Sequence, residues 1–213
     1  MSTKKTGSLA AVLTWIVGIG GAALMVVGII VYGVASSELS SQHITVASFN
    51  EGSNGVENGS NAGKEVRGPF TALSQIKAIT HHLSQASQVA TGGTKDPVTG
   101  ETTGGNPNLT YGTAPSITLD GQGNCASTGA LWTDPSGAGT VQCTKGEPPA
   151  VTGSIDPAKI ASLRSTMTTG SFLISSLFVS VIAFGVAAMM IGVGILFIIV
   201  AVVVAKRTPV TTE

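Results

Sequence analysis

Charge is what this chain has least of. Only 10% of its 213 residues are charged, against roughly a quarter in an ordinary soluble domain. No charged residue occurs between Lys5 and Glu38, and none between Arg164 and Lys206. Clustered positive charge is missing as well. Between the two charge-free stretches acids outnumber bases, from Glu38 to Asp156 against Lys64 to Arg164. That balance excludes a nucleic-acid partner, which needs a basic patch.

Histidine is scarce too, with His43, His81 and His82 alone. Adjacent residues on a helix point about 100° apart. Two helical ligands for one metal need spacings of three or four, so no metal site and no cofactor is expected. No serine sits in a nucleophile elbow or beside an identifiable base. The run Thr91-Gly92-Gly93-Thr94-Lys95 lacks the spacing and the strand–loop–helix context of a phosphate loop. The residues therefore read as a protein without a catalytic centre.

What the chain does have is two apolar blocks. The first runs from Ala10 to Val34, and roughly 20 such residues at 1.5 Å rise cross a hydrocarbon core of about 30 Å. The second, charge-free from Ser165 to Ala205, exceeds that length. Its most apolar part, Leu177 to Val204, is the expected span, and the hydroxyl-rich piece before it is a helical extension outside the lipid. The expected organisation is an N-tail over 1–9, a first span over 10–34, an extracytoplasmic domain over 35–164, a long helix over 165–205 containing the second span, and a C-tail over 206–213. Lys4 and Lys5 precede the first span, and Lys206 and Arg207 follow the second. The positive-inside rule puts both tails in the cytoplasm. A cleaved signal peptide is the competing reading of the N-terminus; the apolar stretch is longer than a signal's usual core, which favours a retained anchor.

Both spans are rich in small residues. Gly18 and Ala22 in the first, and Ala188 and Gly192 in the second, stand four apart, with Gly185 nearby. That spacing lets another helix approach closely. Trp15 and Tyr32 lie toward opposite ends of the first span, where interfacial aromatics belong. Neither span contains an ionisable residue, which argues against an ion or proton pathway.

The middle of the chain opens with His43-Ile44-Thr45-Val46-Ala47, whose alternation suggests a strand or an extended leader. Asn54-Gly55 and Asn58-Gly59 then signal turns. Phe70, Leu73, Ile76, Ile79 and Leu83 recur at helical spacing, giving an amphipathic helix from about 69 to 90. Its apolar face needs a cover: the rest of the outer domain, Ile160, Leu163 and Met167 on the upper part of the second long helix, or a partner. The segment from about 92 to 150 is dominated by Gly, Thr, Ser, Asn and Pro and reads as an insertion of loops and short strands, or as partly disordered. Cys125 and Cys143 are the only cysteines. Outside the cytoplasm such a pair closes a disulfide. Asp156-Pro157 then supplies an N-cap and a first-turn proline for a helix from 157.

Ser171-Phe172-Leu173, the run Ser176 to Ala188, and Gly192 to Phe197 together resemble a family of small two-span actinobacterial membrane proteins. His43-Ile44-Thr45-Val46, Gly68-Pro69-Phe70 and His81 resemble it as well. Members often carry the label aromatic ring-opening dioxygenase LigA. The resemblance implies two spans, a small outer domain and an actinobacterial envelope, with the 92–150 segment an addition that typical members lack. It brings no catalytic residue: ring-opening iron chemistry needs two histidines and a carboxylate around one metal, and these histidines are not so placed.

The expected fold is thus a mainly α membrane protein. A two-helix transmembrane hairpin carries an extracytoplasmic helix and an irregular, short-strand insertion stapled by Cys125 and Cys143. The expected function is non-enzymatic association in the cell envelope, as an accessory subunit or a self-associating hairpin. The expected partners are the lipid bilayer and another membrane protein or a second copy. The alternative is an extracytoplasmic ligand- or surface-binding module anchored by two spans.

Overall fold

The computed structural model describes residues 4–47, 61–129 and 131–207. The turn signals at Asn54-Gly55 and Asn58-Gly59, Ala130 and the tail beyond Arg207 lie outside them. In chain order the elements are α1 (Lys4–Ser41), α2 (Pro69–Ala90), β1 (Thr94–Lys95), β2 (Thr102–Thr103), β3 (Trp132–Thr133), β4 (Gly139–Gln142), β5 (Ala150–Gly153) and α3 (Pro157–Arg207). They fall into two compact units. One holds α1 and the C-terminal part of α3 from Val179; the other is built from residues 45–66 and 70–178.

In the first unit α1 overruns the expected 10–34 span and ends at Ser41. Nothing in Ala35-Ser36-Ser37-Glu38-Leu39 breaks a helix, and the stop comes only at His43. Its N–H bonds the Ser40 carbonyl at 3.1 Å, and its φ is +50°. This is the left-handed cap that usually falls to glycine. His43 is therefore a helix stop and not the start of a strand, contrary to the alternation of residues 43–47. What remains of that leader is a single bridge in the second unit, Thr45 to Glu65, flanked by Val46 N–H to Lys64 O at 2.8 Å.

α1 and α3 run antiparallel. Gly18 faces Ala201, Gly21 faces Gly194 and Phe197, and Gly28 faces Ala187 and Ile191. The Tyr32 and Phe184 rings meet edge to face at 4.9 Å. On α1 the facing positions Gly21 and Gly28 are seven apart, and on α3 so are Ala187, Gly194 and Ala201. A seven-residue repeat is the signature of left-handed, coiled-coil-like packing. Both helices are long and apolar enough to cross a membrane.

The second unit is built on α2 and the first turns of α3. Asp156 starts α3: its carboxylate accepts the Ala158 and Lys159 N–H groups at 3.1 and 3.2 Å, with Pro157 in the first turn. Ile160, Leu163 and Met167 of α3 are buried with Ala90 of α2, and Leu83 and Ala86 pack against the same core. Gly170 makes room for Leu83, whose Cδ atoms would stand 2.7 Å from a Cβ there.

The 92–150 segment is not an appendage to this core. Leu109, Ala114, Ile117, Cys125, Val141 and Cys143 all belong to it. Two helices alone leave their outer faces open, and this segment closes over them. Its regular parts are small: a β1–β2 hairpin with Lys95 opposite Thr102, and an antiparallel β3–β4–β5 sheet with Val141 paired to Trp132 and Val151. The Cys125–Cys143 disulfide ties the Asp120 turn to the end of β4.

Candidate functional site

Three arrangements within the two units can do more than hold the fold. The first is the surface of the hairpin. Expected packing residues divide between its two sides. Gly18 lies on the inner side, where a Cβ would touch that of Ala201 at 3.4 Å, whereas a Cβ at Gly185 or Gly192 would meet nothing within 4 Å, and Ala188 is exposed. Gly185, Ala188 and Gly192 thus form an outward seam and do not pack α3 on α1. The inner seam consists of Gly21, Gly28, Ala187, Gly194 and Ala201, all buried. Spacing four marks the outward strip on α3, and the spacing-seven repeat marks the inner seam. Gly18 and Ala22 also line an apolar groove of about 430 Å³ with Trp15 and Ala205.

The second is the apolar face of α2. Ile76 is buried, and Ile79 and Leu83 are half-buried. The expected partner surface is therefore largely used inside the domain. Only Phe70 and Leu73 remain exposed, Phe70 at 76%.

The third is a cleft of about 370 Å³ in the second unit, walled by α2, the β1–β2 hairpin and the first turns of α3. α2 contributes His82 and Gln85, the hairpin Lys95 and Thr102, and α3 Lys159, Ser162 and Thr166; Val89 and Leu163 supply apolar wall. Burial above all, then the neighbouring His81 and Lys95, holds the His82 imidazole below its ordinary pKa. Lys159 reaches the Asp156 carboxylate at 3.1 Å. Thr102 is 9% exposed, and its Oγ1 is buried without a hydrogen-bond partner, a costly state for a hydroxyl. In the sequence His81 and His82 stand out only as adjacent helical residues that point apart. The cleft was not readable, because its lining joins residues more than 80 positions apart. Gln85 instead binds His81 at 2.9 Å and the Gly100 carbonyl at 3.2 Å, which ties α2 to the hairpin.

The second unit also contains a buried polar knot around Asp134 and Asn106. The Asp134 carboxylate accepts the Asn106 amide at 2.9 Å and the N–H groups of Ser136 and Ala138 at 3.1 Å each, along with the Ser136 hydroxyl. Burial, the largest influence, pushes this carboxyl's pKa up; the hydrogen bonds together outweigh it and leave the pKa lowered. These groups are consumed in fixing loops, and the knot offers no open position to a substrate. Among the described residues no group of three His, Cys, Asp or Glu side chains is placed to hold a metal ion.

Neither a family model, nor a curated protein, nor a solved structure matches this chain.

Proposed function

We propose that the chain is a two-span integral membrane protein of the cell envelope that works by association and not by catalysis. In this reading residues 35–164 lie outside the cytoplasm and both tails inside. The observation that carries it is the inverted packing of the hairpin. Small residues, Gly21, Gly28, Ala187 and Gly194, meet along the inner seam. Large apolar side chains such as Trp15, Ile16, Ile182 and Leu196 turn outward. In water that arrangement exposes far more apolar surface than a soluble protein tolerates. In lipid it is the normal solution, since close backbone approach, and not a greasy interface, holds membrane helices together. The cationic flanks Lys4, Lys5, Lys206 and Arg207 support the orientation. The resemblance to two-span actinobacterial proteins supports an envelope location.

Association is supported by the outward seam. Gly185, Ala188 and Gly192 leave α3 with a low, open strip on which a second membrane helix can approach closely, from another membrane protein or a second copy. Mass measurement of the protein extracted in mild detergent at native expression tests this. An oligomer or a stoichiometric complex is expected, and Gly185→Leu with Gly192→Leu should dissolve it while the hairpin survives. A lone monomer in every detergent would overturn the association reading.

A further inference from the structure

We propose, on the two-span reading of the hairpin, that the start of α2 is an interfacial membrane anchor, with Phe70 and Leu73 set into the boundary between lipid headgroups and acyl chains. Phe70 is 76% exposed and Leu73 38%, whereas Ile76, Ile79 and Leu83 further along α2 are buried or half-buried. Residues three apart on a helix share a face, so the two exposed side chains form one apolar patch. Single exposed apolar residues are common on any protein; the place of this patch in the chain gives it a meaning.

Arg67, Gly68 and Pro69, which lead into Phe70, belong to the compact unit formed by α1 and the C-terminal part of α3. A Cβ on Gly68 would stand 3.9 Å from the Tyr32 hydroxyl, and the Tyr32 ring meets that of Phe184. In a spanning hairpin Tyr32 marks the headgroup level, where a ring with a polar tip is at home. Two residues of chain reach at most about 7 Å. Covalent bonds alone therefore hold the Phe70 backbone within that distance of Gly68, and so close to the lipid surface.

The local sequence suits that level. No charged residue occurs from Gly68 to Ile76, and Arg67 and Lys77 bound the run. Both are exposed; such charges resist entry into hydrocarbon, while their apolar stems can lie along its edge. Polar side chains within the run turn inward. The Ser74 hydroxyl donates to the Phe70 carbonyl at 3.0 Å and accepts the Asn61 amide at 3.1 Å, and the Gln75 side-chain oxygen accepts the Ala47 N–H at 3.0 Å. Depth is limited by the backbone. The opening N–H groups of any helix lack intrahelical acceptors, which keeps such an end out of the hydrocarbon centre. At the headgroup boundary water and phosphate oxygens accept them, and the apolar side chains beside them reach the acyl chains, as in an interfacial helix.

Nitroxide labels on the full-length protein in phosphatidylcholine bilayers test this, read by their relaxation with oxygen, which concentrates in lipid, and with a water-soluble nickel chelate. The native cysteines are bonded to each other and take no label. Phe70→Cys and Leu73→Cys probe the anchor. Val98→Cys, 81% exposed between β1 and β2, is the water reference, and Ile19→Cys, 61% exposed on α1, is the span reference. The ratio of oxygen to nickel accessibility at Phe70→Cys and Leu73→Cys should be several-fold above that at Val98→Cys and below that at Ile19→Cys. A ratio at Phe70→Cys equal to that at Val98→Cys, with Ile19→Cys shielded from nickel, would overturn the anchor and leave the two-span reading standing. Exclusion of both probes at Phe70→Cys would also overturn it, since that reports a protein cover such as a second copy. Ile19→Cys as open to nickel as Val98→Cys would remove the two-span reading, and the anchor with it.

Discussion

Gly21 of α1 and Gly194 of α3 occupy each other's side-chain space. A Cβ on Gly21 would stand 2.7 Å from the Gly194 carbonyl oxygen, and one on Gly194 would stand 2.5 Å from that of Gly21. The clash in both cases is with backbone, which has no rotamer to escape into. This contact sets how closely the hairpin closes, and the first prediction follows from it. Gly194→Leu or Gly21→Leu should force the helices apart, at a cost of about 1–3 kcal/mol. Gly192→Leu, only two positions away but facing open space, should leave the hairpin closed. A Gly18→Cys, Ala201→Cys pair reports this directly. A Cβ added at Gly18 would stand 3.4 Å from that of Ala201, near the range a disulfide requires. Oxidation should bridge the pair in the Gly192→Leu background and fail to do so in the Gly194→Leu background.

The disulfide makes a second prediction. Cys125 and Cys143 are separated by 18 residues, and both are part of the domain core. Closing a loop of that size is worth about 3 kcal/mol in the chain-entropy model. Reduction, or Cys125→Ser with Cys143→Ser, should lower the denaturation midpoint of the second unit correspondingly. Hydrogen exchange on the full-length protein would locate the loss in β3–β5 and the 109–117 loop, with the hairpin helices unaffected. Uniform exchange across α2 and the sheet after reduction would show that the staple holds the whole domain.

Acid sensitivity should centre on Asp134. Its folded pKa lies below the ordinary carboxylate value, so the folded state binds the proton less readily than the unfolded chain. The stabilisation is fully present above the unfolded pKa of about 3.9 and is lost as pH falls through the lower folded value. Asp134→Asn should therefore lower stability at neutral pH, by about 1–3 kcal/mol for a buried charged acceptor, and flatten the acid limb of the stability–pH curve. The lowered pKa of Asp156 leaves part of that slope in place. An unchanged acid limb in Asp134→Asn would place the sensitivity elsewhere.

Much of the helical framework was legible before any coordinates, for local reasons. Asp156-Pro157 is a complete start signal, and α3 begins there. The apolar spacing from Phe70 to Leu83 fixes one helix, and α2 occupies Pro69–Ala90. The paired cysteines sit in a region where no competing thiol exists. Other features depend on long-range placement. The faces on which α1 and α3 meet follow the handedness of packing, and small residues at spacing four and at spacing seven coexist in both helices. The short strands and the disulfide of residues 92–150 follow from local signals, but their part in the core does not, because Leu109, Ile117 and Val141 are isolated apolar residues in a polar composition, and only contact with α2 and α3 makes them a core. The cleft is further still from the sequence: Lys95, Thr102 and Lys159 carry no local motif, and the unpaired state of the Thr102 hydroxyl is a property of the packed domain alone.

The membrane hairpin is the claim on which the rest depends, and thiol accessibility in intact cells tests it most directly. The native cysteines are bonded to each other and do not react, so they stay in place. Ser127 is exposed in the second unit, which makes Ser127→Cys the reporter for that unit; Ser2→Cys and Thr212→Cys report the tails. A membrane-impermeant reagent should label Ser127→Cys in intact cells and the two tail variants only after permeabilisation. Labelling of either tail variant in intact cells, or a mature protein lacking its N-terminal apolar block, would contradict the two-span account.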